Sequence, residues 1–151
     1  MSTLFKTLLA IHVIFGVVGV IACAGVWMNM LKQKLPVRFL KWSSAIGLVS
    51  FIASWVIGGY YYAIYYGKAV KPIIQKGQYP WGHSVFMEAK EHLFLFLPFL
   101  SAAMLVALLL AGEHLEAEAP LKKALTWLVG TIVVLGAIMA LSGIIISGAV
   151  R

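Results

Sequence analysis

Charge and cysteine are both scarce in this sequence. Only 11% of its 151 residues are charged, 62% are hydrophobic, and Cys23 is the single cysteine. One cysteine excludes an internal disulfide and any paired Cys-x-x-Cys motif. The chain also lacks a P-loop, a dinucleotide-binding glycine motif and the Cys-x-x-Cys-His motif of covalent haem attachment. The sequence therefore gives no support for nucleotide-driven work or for a c-type haem.

Charge is absent altogether from four long segments, residues 7–31, 42–67, 92–112 and 124–150. Each exceeds the roughly 20 residues that a helix needs to cross about 30 Å of hydrocarbon, and each is too long for a buried strand. Helices satisfy their own backbone hydrogen bonds in lipid. The sequence thus predicts an all-α polytopic membrane protein with one domain, residues 1–151. We expect an up-down bundle of four transmembrane helices at about 4–31, 39–67, 85–113 and 121–149.

Four crossings place both termini and the loop between the second and third helices on one side of the membrane, here called side A. Side B has the two other turns. The net charge of +7 does not indicate nucleic-acid binding, because the cations lie at helix ends, where lipid headgroups meet them. Lys and Arg divide evenly between the sides. The tight basic turn at residues 32–38 favours side B as cytoplasmic, with the termini on the outer or periplasmic side of a prokaryotic inner membrane.

Two histidines lie inside the charge-free segments or at their edge. His12 and His92 are each about eight residues from the side A end of their helix, the first and the third. Ionisable groups at membrane depth indicate function. The first and third helices of an up-down bundle are diagonal, which leaves room for a flat macrocycle between them. The spacing therefore predicts that His12 and His92 ligate one haem iron, since neutral imidazole is a good iron ligand.

Glycines on the other two helices fit the same interpretation. Gly59 and Gly143 lie at the depth of the two histidines, and Gly58 is adjacent to Gly59. Their missing side chains would make room for the macrocycle edges, as would Gly16, one turn after His12. His83, in the loop before the third helix, is expected to contact a propionate or to replace His92. The predicted cofactor-binding residues are His12, His92, Gly16, Gly58, Gly59, Gly143 and His83.

This arrangement, four membrane helices with His12 and His92 on the first and third, resembles the small b-type cytochromes of the membrane. The resemblance implies one haem b, single-electron transfer and exchange with a quinone pool. It also implies a redox protein or a larger membrane complex as partner, with a homodimer as a further arrangement. The chain would then be an electron-transfer or quinol-oxidoreductase component rather than a stand-alone enzyme. It departs from larger membrane b cytochromes in having fewer histidines.

Two other functions stay open. Glu88 and His92 are four residues apart and share a helix face, so with His12 they could bind zinc, copper or non-haem iron, or carry protons. However, acids in the first turns of a helix are stabilised by its dipole without any metal. The second alternative is a cofactor-free accessory subunit in which the histidines only pack against neighbouring helices.

Two local features complete the expectations. Pro98 lies inside the third helix and should bend it, because proline leaves the carbonyl of Phe94 without its backbone donor. A quinone head is expected to find polar and aromatic neighbours at the side A interface, among Tyr60, Tyr61, Trp81, His83 and Glu88.

Overall fold

Four helices that are long and apolar enough to cross a membrane make up the fold. The structure is a computed structural model that describes residues 2–150. The first span is α1 (Thr3–Met30) and the fourth is α6 (Ala119–Gly148). The second span, Val37–Lys76, consists of α2 (Val37–Tyr61), a π-helix (Tyr62–Val70) and α3 (Lys71–Lys76). The third, Gly82–His114, consists of a second π-helix (Gly82–Met87), α4 (Glu88–Phe94), α5 (Phe96–Ala111) and a 3₁₀ turn (Gly112–His114).

The helices pack in the order in which the chain makes them. Helix α1 lies against α2 and α6, and α5 lies against the same two helices. The first and third spans are therefore diagonal. With no strand between residues 2 and 150, the predicted all-α four-helix bundle is confirmed.

Small residues let α1 and α2 approach closely. The Phe51 ring lies against the backbone of Gly19, where an added Cβ would come 2.7 Å from the ring. The Cys23 sulfur contacts Gly47 in the same way, since a Cβ added to Gly47 would come 2.9 Å from it. Lipid tails are as apolar as leucine, so membrane helices associate through close packing rather than through the hydrophobic effect. These contacts fix the register of the first helical hairpin.

The third span is interrupted where proline was expected to disturb it. Its α-helix stops at Phe94 and resumes at Phe96, so Leu95 is the break. Pro98 lacks the N–H that would bond to the Phe94 carbonyl, and its ring crowds that carbonyl. The interruption one turn before Pro98 agrees with the predicted bend.

The segment at residues 68–83, expected to be a loop, is mostly helical. The second span continues to Lys76 and the third begins at Gly82, which leaves a turn of five residues. The two helical extensions meet the end of α6 in a small apolar cluster that contains Tyr66, Ile74, Ile146 and Ala149. The larger core, which extends from Phe94 and Met139 to side B, is a separate cluster. Between the two clusters lies a layer of polar and small residues that includes His12 and is called the His12 layer below.

On side B the two turns are bonded to each other. The Leu35 amide donates to the Glu116 carboxylate at 2.6 Å, and Lys41 pairs with Glu113 at 2.8 Å. The Lys122 ammonium donates to the Lys32 carbonyl at 2.6 Å. This end of the bundle is held by direct polar contacts between its two hairpins.

Candidate functional site

His12 is attached to the second span by a set of hydrogen bonds that fixes its protonation pattern. Its Nδ1 lies 2.8 Å from the Ser54 carbonyl oxygen and 3.1 Å from Ser54 Oγ. The Ser54 hydroxyl donates its hydrogen to the His12 carbonyl at 3.0 Å. Because a carbonyl only accepts, Nδ1 must carry the ring hydrogen. In the neutral imidazole Nε2 is therefore the nitrogen with a free lone pair, able to bind a metal or accept a proton.

The glycines that were predicted to make room for the macrocycle have different surroundings. Gly58 lies against the imidazole, since a Cβ there would come 2.5 Å from His12 Nδ1, and Gly16 lies beside Ser54, with its Cβ position 3.4 Å from Oγ. Gly59 has no atom within 4 Å of the same position and is exposed. Gly58 and Gly16 thus belong to the His12 site, whereas Gly59 faces outward.

Lys90 is the second polar group of the layer, and the sequence analysis did not select it. Its Nζ lies 3.4 Å from the Cβ position of Gly143, and its charge acts on the His12 ring. The side chain is half-buried. Within the described part of the chain, its ammonium has neither a hydrogen bond nor an ion pair. Lys90 therefore reaches α6 at Gly143, one of the glycines predicted to make room for a macrocycle.

His92 lies on another side of its helix. Its side chain is exposed, and its Nδ1 donates to the carbonyl of Glu88 in the preceding turn at 2.7 Å. Nε2 again carries the free lone pair. His12 is half-buried against the second span, whereas His92 is exposed, so the two imidazoles have different surroundings. The ligation of one iron by both imidazoles stays a prediction.

The carboxylates of the third span are also outside the His12 layer. Glu88 and Glu91 are exposed, and their charges act on the phenol of Tyr62, at the start of the first π-helix. Among residues 2–150, no three His, Cys, Asp or Glu side chains come together as a group that could hold a metal ion. The proposed triad of His12, Glu88 and His92 is not assembled.

His83 forms a buried pair with Tyr66. Its Nδ1 lies 3.2 Å from the Tyr66 hydroxyl, and the Tyr66 ring stacks on Tyr62 at 5.2 Å between centroids. The imidazole is 1% exposed, and its Nε2 has no hydrogen-bond partner in the described structure. Tyr66 is a member of the side A cluster, so the pair lies there, and the predicted contact of His83 with a haem propionate stays a prediction. Both π-helices carry members of this cluster, and π-helical turns occur frequently at functional sites.

The spacing of buried residues in the third span, which the structure gives and the hydropathy of the sequence does not, places Lys90 on the interior face of its helix. The interior positions of α5 are Leu97, Ser101, Met104 and Leu108, which alternate steps of three and four. Continuing this pattern toward side A passes through buried Phe94 to Lys90. His92 falls between these positions. The spacing of buried residues identifies the face of the helix on which a residue lies, whereas counting residues from side A gives only its depth.

No protein-family model matches this chain, and neither characterised proteins nor solved structures give a match. Fold and site together define the class, an all-α integral membrane protein with a polar layer near side A.

Proposed function

We propose that this protein is a membrane redox component that binds the head of a lipophilic quinol through His12 and Lys90. The observation that carries the proposal is the presence of two half-buried polar groups, an imidazole whose Nδ1 bond leaves the Nε2 lone pair free and an ammonium beside Gly143 without a partner among residues 2–150. A quinol hydroxyl is complementary to both, because it donates a hydrogen to Nε2 and its oxygen accepts one from Lys90. Gly143 leaves space beside the ammonium.

The depth of the layer suits such a ligand. Lys90 lies two residues outside the charge-free segment of the third span, at the side A margin of the hydrocarbon. Tyrosines of the second span begin two residues beyond Gly58, at Tyr60, where an interfacial aromatic layer is expected. A polar head placed here leaves its isoprenoid tail in the membrane.

The same two groups account for a first chemical step. The quinol O–H bond breaks as its proton moves to His12 Nε2, which becomes an imidazolium, while the electron pair of that bond stays on the oxygen. The negative oxygen left behind is stabilised by the Lys90 ammonium at short range, where a low dielectric strengthens the attraction. The Ser54 carbonyl keeps its bond to Nδ1 throughout and holds the ring in position.

Equilibrium binding of a radiolabelled short-chain benzoquinol to the protein in lipid nanodiscs tests the proposal. Lys90→Met and His12→Asn should each weaken binding at least about tenfold, because a charge-assisted hydrogen bond contributes roughly 1.5–3 kcal/mol. His92→Gln is the matched control, two residues from Lys90 on the exposed side of α4, and should bind as the parent does. Equal affinity in Lys90→Met and His92→Gln would contradict the assignment.

A b-type haem is the second candidate, with His12 as an axial ligand. Its support is the Nδ1 hydrogen bond to a backbone carbonyl, since metal-ligating histidines commonly use their other nitrogen in this way. His92 has the same kind of bond but lies on the exposed side of its helix. The reduced-minus-oxidised absorption spectrum of detergent-purified protein tests it. Haem bound at this site should disappear in His12→Ala and persist in His92→Ala, and a spectrum without a Soret band would exclude it.

A further inference from the structure

An apolar groove runs along α1 and α6 in the side B half of the bundle. Its deeper part is a cavity of about 430 Å³ between Trp27 of α1 and Gly130, Thr131 and Val134 of α6. The Trp27 ring lies close to Gly130, since a Cβ there would come 3.2 Å from its Nε1. Thr131 Oγ1 donates to the Trp127 carbonyl at 3.0 Å, so this hydroxyl is satisfied within its own helix. The groove surface is therefore almost wholly apolar.

The groove opens toward side B between two lysines. A second cavity of about 280 Å³ shares Leu31, Thr126 and Trp127 with the first and extends to Lys122 and Lys123. Lys122 donates to the Lys32 carbonyl, whereas Lys123 is exposed and, in residues 2–150, has no hydrogen-bond or ion-pair partner. An apolar channel that ends at a cationic opening has the polarity of a lipid-binding site.

The length of the groove corresponds to one leaflet. Residues 123 and 135 are twelve positions apart on α6, which is about 18 Å along the helix axis. Half of the hydrocarbon thickness is about 15 Å. An acyl chain of the side B leaflet would thus fill the groove from its opening to the bilayer centre.

We propose that this groove binds one anionic phospholipid of the side B leaflet. Its acyl chain lies against Trp27 and Trp127, and its phosphate lies at Lys122 and Lys123. The site is at the opposite end of the bundle from His12 and does not depend on the function proposed above. Charge complementarity selects an anionic headgroup over a zwitterionic one, because the opening offers two cations and no carboxylate.

The two groove tryptophans provide the readout. Trp42, Trp55 and Trp81 are replaced by Phe, so that Trp27 and Trp127 alone fluoresce. This parent is reconstituted in phosphatidylcholine vesicles with the same small fraction of brominated phosphatidylglycerol or brominated phosphatidylcholine, whose bromines quench indole fluorescence on contact. We expect the brominated phosphatidylglycerol to quench more strongly. Lys123→Gln should lower that selectivity about fivefold, since each lysine near a membrane surface attracts anionic lipid by a factor of this size.

Two further variants make the test specific. Lys76→Gln removes an exposed lysine on side A and should leave the selectivity unchanged. Thr131→Phe fills the groove from an exposed position and should remove the selectivity for the anionic lipid. This result is expected even if Lys122 alone preserves the selectivity in Lys123→Gln. Equal quenching by the two brominated lipids in the parent, or full selectivity in Thr131→Phe, would overturn the proposal.

Discussion

The His12 imidazole shows how a single side chain is directed by its neighbours. Ser54 accepts a hydrogen from the ring and donates one back to the His12 carbonyl, so two bonds join α1 and α2 at this level. Gly58 lets the ring lie flat against the second span. Ser54 and Gly58 of the second span therefore determine that Nε2 is the His12 nitrogen with a free lone pair. Substitutions at these positions test this arrangement.

Gly58→Ala should displace the imidazole, and Gly59→Ala should not. The added methyl at position 58 would come 2.5 Å from His12 Nδ1, so the ring has to move away from Ser54, whereas position 59 has no atom within 4 Å. We expect Gly58→Ala to shift the ring ¹⁵N resonances of His12 and to destabilise the fold by about 1–3 kcal/mol. Solid-state NMR and thermal unfolding measure the two effects. Unchanged resonances in Gly58→Ala would mean that the contact is absent.

The residues around His12 also show the limit of sequence reasoning. Counting residues from side A gives depth, and His12, His92, Gly59 and Gly143 were chosen by chain position as residues of similar depth. Depth does not fix rotation about the helix axis. In a soluble helix hydropathy marks the inward face, but in lipid both faces are apolar, and His92 could not be distinguished from Lys90 in this way.

At the scale of the element, the third span differs most from a regular helix. A π-helix precedes α4 and the interruption at Leu95 follows it, so the regular α-helical hydrogen bonding of this seven-residue segment is interrupted at both ends. This segment carries Lys90 on its interior side and His92 on its exposed side. Proline explains the break, while the sequence contains no comparable signal for the two π-helices.

Pro98→Ala should make the third span continuous. The new amide at position 98 can donate to the Phe94 carbonyl, which restores the bond that proline prevents. Hydrogen exchange measured by mass spectrometry should show slower exchange across residues 95–98, and Pro72→Ala serves as the control because Pro72 stands in the first turn of α3. If exchange at residues 95–98 stays as fast as in the parent, the break has a cause other than Pro98.

At the scale of the whole molecule, the hydrophobic pattern was sufficient to predict the fold class. Four charge-free segments predicted four helices, short turns predicted the up-down order, and both predictions are confirmed. The helical extensions beyond the charge-free segments were not predicted, because the polar residues at 68–76 indicated a loop. They remain helical because Tyr66 and Ile74 pack against the end of α6.

The bundle places the turns at residues 31–36 and 77–81 on opposite sides of the membrane. Cys23 is fully buried, so cysteines introduced as Gln33→Cys or Gln78→Cys are the ones that a membrane-impermeant maleimide should reach. In sealed vesicles of uniform orientation, we expect one of the two variants to be labelled and the other only after permeabilisation. Labelling of both from the same side would contradict the four-span topology.

The close contacts between the first two spans have a consequence for biogenesis. Gly19 with Phe51, Gly47 with Cys23 and Gly58 with His12 all lie within the first 58 residues. Chains fold from the N-terminus as they are synthesised, so this hairpin has all its interlocking partners before the ribosome adds the third span. The contacts that set the His12 tautomer thus all lie within the first hairpin, and Lys90 is synthesised after them.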